Sequence, residues 1–368
     1  MTAYGFARIV AALGVTVAVS GLLAPGAGAA AGPVAPGFLG VTYDREVADA
    51  SARTQDVQWN GMARAGVRAV RVVFRWDRAQ PDGPGRPRFG ATDDIVARAA
   101  RRHLGLLPVV IYAPAWARVD PSSAVSPPQD PQRYAAYLTA LVHRYGPRGS
   151  FWREHPGLPR RPLRDYQVWN EPAAPFQWSA PNWERGYGAL LRAAHRALKA
   201  ADPGSRTVLA GLANRTWVSL ESLYAKGNIA GAFDVATMHI YTATPNFAVL
   251  LARKVRRVLR RHGAARMPAW ITEIGLPASK GRTHSPNTLQ TTDRGMASAL
   301  TKAYANLAAV ATHSDVLVQN VYWYTWASSY RGDDIFEYAG LRSFQDGRGT
   351  DRPALAAFRA LSQPVTTR

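Results

Sequence analysis

The chain has 368 residues, 47% of them hydrophobic, enough to fill one large core or two ordinary ones, which excludes a disordered chain. It has no cysteine, so disulfides, thiolate metal sites and a cysteine nucleophile are excluded together and stability must come from packing. Against 25 Asp and Glu stand 45 Lys and Arg, a formal charge of +20, but only five are Lys and the Arg are scattered over nearly every helical segment. That is the pattern of a solvated surface, so no nucleic acid is expected as a partner, and the charge points at most to weak association with an anionic cell wall.

Residues 1–31 read as a signal peptide: Arg8 is the positive start, 9–23 is almost wholly small or apolar, and Ala27-Gly28-Ala29 suits a cleavage site. The apolar run is about 15 residues against the roughly 20 a membrane span needs, so export is expected rather than anchoring. The expectation is a secreted protein with no stable membrane insertion, its one domain being 32–368.

Within that domain short β-rich runs fall at 38–43, 69–74, 106–112, 166–169, 207–211, 235–241, 269–274 and 316–324. Helix-period segments alternate with them at 56–65, 93–104, 131–145, 183–201, 218–226, 247–262, 293–313 and 352–361. Strict alternation implies a parallel sheet, and eight pairs close a single (β/α)8 TIM barrel. In 247–262, Leu251, Val255, Val258 and Leu259 share one face; Arg253, Lys254, Arg256, Arg257, Arg260 and Arg261 read as its solvated side. The stretch 145–167 is too rich in Pro, Gly and Arg for either element and reads as a long loop entering the barrel from below.

The fourth strand runs into Asn170-Glu171-Pro172, and the seventh ends on Glu273, 102 residues later, or three units of 34. Strand ends on one rim are where such barrels keep their chemistry. Two carboxylates facing across the mouth suit glycosidic cleavage, one protonating the departing oxygen and the other attacking the anomeric carbon or activating water. An attacking carboxylate must be ionised and wants donors around it. Arg71 on the second strand, and His239 and Tyr241 on the sixth, are placed to supply them. Trp116, Trp169, Trp323 and Trp326 lie at or beyond strand ends, where flat rings could underlie a sugar.

The segments AGVRAVRVVFRWDRAQP, LLPVVIYAPAWA, YQVWNEP, MHIYT, AWITEIGLP and VYWYTWAS together resemble glycoside hydrolase clan A, most of all the group spanning cellulase family 5 and β-xylosidase family 39. The resemblance covers about 300 residues in order. It implies a retaining glycosidase, without cofactor or metal, that cleaves a carbohydrate substrate. Glu171 would be the acid/base and Glu273 the nucleophile. Asn170 would bind the sugar 2-hydroxyl, Tyr241 and Arg71 would hold the nucleophile, and Trp323 would stack under the reacting sugar; His239 and Trp116 complete the candidate substrate site.

Rival chemistries lack their signatures. There is no His-x-His pair for a metal-dependent barrel hydrolase, no G-x-S-x-G elbow, and the glycine patches at 82–85 and 346–349 lack the context of a phosphate loop. A transglycosylase of the same clan, or a non-catalytic wall- or glycan-binding barrel, remains the alternative.

Overall fold

Helical crossovers force consecutive strands of one sheet to run parallel, and the chain follows that rule through eight units. The computed structural model describes residues 34–43 and 45–363; the leader read at 1–31 lies outside the described residues. The strands are β1 Gly40–Tyr43, β2 Ala69–Arg75, β3 Gly105–Ile111, β4 Asp165–Val168, β5 Arg206–Val208, β6 Ala236–Tyr241, β7 Ala269–Gly275 and β8 Val318–Trp323. They pair in the order β5-β4-β3-β2-β1-β8-β7-β6. A parallel bridge between Val208 and Val235, with Leu209 N–H donating to Val235 O at 3.0 Å, joins the two ends and completes the ring. This is the expected (β/α)8 barrel. Helices Pro131–Tyr145 and Trp183–Ala201 have the bounds read from their periodicity, the first started by Pro131 and by Asp130 Oδ1, which accepts from Gln132 N at 2.8 Å.

Side chains alternate across a strand, so the barrel interior is built in layers. The lower layer is apolar: Leu107, Val208, Val235, Trp270 and Tyr322, with Ala69 beside them. Gly40 on β1 makes room for it, because a Cβ there would stand 2.5 Å from the Tyr322 ring. Two residues further along β2 and β4 the inward positions are Arg71 and Gln167, so the next layer is polar. The opposite faces of the strands, with Val70, Phe74, Val168, Ile240, Val321 and Trp323, pack into the main core beneath the helices.

Three sequence readings change. The stretch 145–167 is not loop throughout: Ser150–Glu154 forms a short helix whose Phe151 and Trp152 are buried, the indole N–H donating to Tyr145 O at 2.9 Å. Between β8 and the last helix, Pro353–Ser362, the chain adds a second sheet of β9 Ala327–Ser328, β10 Arg342–Gln345 and β11 Arg348–Asp351. Its hairpin turns on Asp346 and Gly347, both at positive φ (51° and 77°), the conformation that Asp-Gly adopts readily.

The third correction is Arg256. The helix Pro245–Arg261 turns it inward, leaving it 1% exposed. Its guanidinium donates to backbone carbonyls at the foot of β7 and β8: Met267 O at 2.6 Å, Ala265 O at 3.0 Å, and Val316 O at 3.2 and 3.3 Å. Burial pulls its pKa down to about 10, the neighbouring Arg260 adding to the effect, so the charge persists at neutral pH and carbonyl dipoles carry it. Arg256→Ala removes this cation and strands buried carbonyls, which is expected to lower the unfolding free energy by about 3 kcal/mol. The exposed Arg257→Ala should change it by less than about 0.5 kcal/mol. Urea denaturation of the two variants compares them directly; equal midpoints would show that the carbonyl network contributes nothing.

Candidate active site

The polar layer of the barrel is organised by Arg71, which is 3% exposed. Its Nη1 donates to Glu273 Oε1 at 2.7 Å, its Nη2 to Asn170 Oδ1 at 2.6 Å and its Nε to Gln167 Oε1 at 2.9 Å. One planar fork therefore ties β2 to β4, to the turn after β4, and to β7. The Asn170 oxygen also lies 3.4 Å from Gln167 Nε2, which fixes the amide's orientation and leaves Asn170 Nδ2 as the donor for a ligand. Gln167 was missed in the sequence reading, although strand alternation along β4, with Tyr166 and Val168 turned to the apolar core, could have revealed it.

Glu273 is 6% exposed and both its oxygens accept from donors, Oε1 from Arg71 and Oε2 from the Tyr241 hydroxyl. Tyr241 is held in turn by Asn214, whose Oδ1 accepts from Tyr241 N at 2.8 Å and whose Nδ2 donates to Tyr241 O at 3.0 Å. A side-chain amide thus stands in for a strand partner where β5 is already finished. Tyr241 also meets Phe336 and Tyr324 edge-on, at 4.9 and 6.0 Å between ring centres.

Glu171 sits in a tight turn. Trp169 and Glu171 both have positive φ, 66° and 41°, a region costly for residues with a Cβ. The turn is held from below: Trp169 N–H donates to Val110 O at 3.0 Å, and Glu171 N–H to Gly211 O at 3.0 Å. Its carboxylate faces the fully buried His239, whose Nδ1 lies 2.7 Å from Glu171 Oε1 and 3.5 Å from Glu273 Oε2. When Glu171 is a carboxylate, Nδ1 donates to it; Nε2 has no hydrogen-bond partner among the described residues. It is instead pressed on Gly211, where an added Cβ would lie 1.7 Å from Nε2.

Arg71, Asn170, Glu171, His239, Tyr241 and Glu273 are therefore brought together as the sequence suggested. Trp323 is not. It is 1% exposed in the main core, its indole N–H donating to Ala339 O at 3.3 Å. The reason is parity: Tyr322 fills the barrel interior, so Trp323 takes the outer face and Tyr324 returns to the side of Tyr241. Trp169 and Trp326 are likewise fully buried. Trp116 is half-buried beyond β3 on the rim, edge-on to Trp76 at 5.8 Å and bonded to Gln80 O at 2.7 Å.

One ligand atom each from Glu171, His239 and Glu273 fall within 4.8 Å of one another, a spacing a cation could span. The donor set argues for a different use: the Arg71 cation and the Tyr241 hydroxyl already occupy both oxygens of Glu273, and a second cation would face the guanidinium at close range.

No family model and no curated protein matches the chain. Among solved structures it is similar to a monomeric β-xylosidase from Caulobacter crescentus CB15, with TM-score 0.66 and 18% identity over 90% of this chain and 69% of that one. A family 39 glycoside hydrolase from the gut symbiont Bacteroides cellulosilyticus WH2 gives 0.65 and 15%, over 89% of this chain and 64% of that one. A GH5_18 from Bifidobacterium longum subsp. infantis gives 0.61 and 16%, over 89% and 78%. The likeness is one of fold: the chain has the (β/α)8 architecture of these glycoside hydrolases, consistent with its resemblance to clan A.

The contact between Gly211 and His239 is directly testable. In Gly211→Ala the methyl group must displace the imidazole, breaking its bond to Glu171, with a loss of about 1–3 kcal/mol in stability from overpacking. A crystal structure of the variant should show the ring moved; an imidazole still within bonding distance of Glu171 would refute the steric argument.

Proposed function

We propose that the protein is a retaining glycoside hydrolase, with Glu273 as nucleophile and Glu171 as acid/base, acting on β-linked sugars. The observation that carries this is the asymmetric carboxylate pair. One oxygen of Glu171 and one of Glu273 lie within 4.8 Å of each other at the C-terminal ends of β4 and β7, on one rim, and Glu273 alone is held by a guanidinium and a phenol. Retaining enzymes space their carboxyl groups about 5–5.5 Å apart, whereas inverting ones leave roughly 6.5–9.5 Å for a water. Two accepted hydrogen bonds, one from a cation, suit a carboxylate that has to be ionised and aimed.

In the first step a Glu273 oxygen bonds to the anomeric carbon while the glycosidic bond breaks. Glu171 gives its proton to the departing oxygen, which leaves as an alcohol. In the second step Glu171, now a carboxylate, takes a proton from water; the hydroxide oxygen bonds to the anomeric carbon and Glu273 departs. One water is consumed and both residues return to their starting state. His239 Nδ1–H steadies the ionised Glu171 between the steps, and Asn170 Nδ2 is suited to the sugar 2-hydroxyl. The solved structures named above are a β-xylosidase and two other glycoside hydrolases, which supports this reaction class. Export is supported by the leader sequence 1–31.

Glu273→Ala should abolish the glycosyl-enzyme, seen as loss of the mass adduct formed by a slow aryl glycoside substrate. Glu171→Ala should lose about 10²–10⁴-fold with leaving groups that need a proton, and less with activated ones. Azide should rescue it with retention of configuration; rescue with inversion would exchange the two roles.

Proton NMR of the first-formed sugar tests the stereochemistry independently. The anomer released should have the configuration of the substrate. An inverted first product would reject the retaining assignment even if both glutamates proved essential.

A further inference from the structure

The closed end of the barrel carries a feature that the chemistry at the mouth does not use. A cavity of ≈ 500 Å³ opens there, bounded by the first residues of β3 and β5, Gly105 and Arg206, and by the segment from Arg160 to Asp165 that leads into β4. A second, of ≈ 340 Å³, adjoins it beside Arg148, Arg153 and Asp202. The two meet where Arg160 Nη2 donates to Pro147 O and where Arg164 stands 3.7 Å from Asp202. All of these residues precede strands, so the pair of cavities lies at the opposite end from Glu171 and Glu273.

The charge around them is one-sided. The acids present are already engaged: Asp165 by a two-pronged bond to Arg206 at 2.6 and 2.9 Å, Glu154 by Arg144, and Asp202 by Arg164. Arg148, Arg153, Arg160 and Arg161 are exposed, and none forms an ion pair with an acid among the described residues. The segment that carries them is ordered by its own bonds. Leu163 N–H donates to Tyr145 O at 2.9 Å, Arg153 Nη1 to Arg148 O at 2.9 Å, and the helix Ser150–Glu154 is pinned by buried Phe151 and Trp152. The backbone that carries the arginines is therefore set without a ligand, and guanidinium forks match carboxylate and sulfate groups geometrically.

We propose that this basic double cavity binds an acidic polysaccharide, whose recurring carboxylates or sulfates pair with Arg148, Arg153, Arg160 and Arg161. Neither cavity is lined by Phe, Tyr or Trp, so the stacking platforms that single-stranded nucleic acid uses are missing. Nor do the lining residues present a large exposed apolar patch for a lipid surface. The choice of a polysaccharide among polyanions rests on the proposed glycosidase reading. A chain held at the closed end would tether the protein to the polymer while the mouth stays open.

The test measures binding without turnover. Fluorescein-labelled polygalacturonate is titrated with the full-length protein at low and at physiological salt, with neutral dextran as control. The quadruple variant R148E/R153E/R160E/R161E should bind about tenfold more weakly or worse and show a shallower salt dependence, with its thermal midpoint and hydrolysis of aryl glycosides unchanged. A variant with the same change of charge at exposed arginines elsewhere, R86E/R257E/R266E/R348E, should lose less than about twofold. Because Arg153 and Arg160 also bond to backbone, R148E/R161E serves if the quadruple variant unfolds, with a loss of about threefold. Equal loss in the two quadruple variants would reduce the effect to net charge and overturn the site. So would absence of binding at physiological salt, or tighter binding of single-stranded DNA than of polygalacturonate. A protein that binds but hydrolyses no glycoside would sink the catalytic reading and leave this one standing.

Discussion

The buried guanidinium of Arg71 is the constraint around which the barrel mouth is arranged. A cation without water costs several kcal/mol, and it is tolerable only when it is paired and hydrogen-bonded. Here the acceptors come from Glu273, Asn170 and Gln167, so the same bonds that make the charge admissible also set the positions of the groups at the ends of β4 and β7. Removing any one partner would leave either an unpaired charge or an unpaired amide inside the barrel. Stability and geometry of the site are thus two aspects of one hydrogen-bond network.

That network stands on an apolar floor. Trp270, Tyr322, Leu107, Val208 and Val235 fill the lower barrel and keep water from reaching Arg71 from below. Bulk at these positions demands its absence at others: Gly40 yields to Tyr322 and Gly211 yields to His239. Glycine is needed at both for close approach rather than for its backbone freedom. On the rim, the excursion after β8 closes one wall, with Ile335, Phe336 and Ala339 packed against Tyr241 and Tyr324. The phenol that donates to Glu273 is therefore held from two sides, by Asn214 through its backbone and by aromatic edges at its ring.

The two ends of the barrel differ in how their charges are arranged. At the mouth, the Arg71 guanidinium is paired with Glu273 and the His239 imidazole with Glu171, in a largely buried layer where Coulombic interactions are strong. At the closed end, Arg148, Arg153, Arg160 and Arg161 are exposed and form no ion pair among the described residues, so their field is screened by salt.

Much of this was legible from the residue pattern. The alternation of period two and period 3.6 sets the element types, and helical crossovers leave a parallel barrel as the consistent closure. Glu171 and Glu273 were readable because a strand end followed by turn residues marks the rim wherever the chain goes next. Arg71, His239 and Tyr241 were readable from alternation along a single strand. What alternation could not supply was absolute parity at β8, where a run of aromatics looks alike in either register; only the packing of Tyr322 inside the barrel decides that Trp323 faces the helices and Tyr324 the mouth. The inward turn of Arg256 was hidden for a related reason, since a charged residue at the edge of an apolar face reads as solvated until the carbonyls that receive it are in place. Gln167, Asn214 and Gly211 act through partners 96, 27 and 28 residues away, respectively Arg71, Tyr241 and His239. Local periodicity therefore determined the elements and the strand-end carboxylates, whereas the contacts that orient those carboxylates belong to the closed ring, because they exist only once distant strands have been brought side by side.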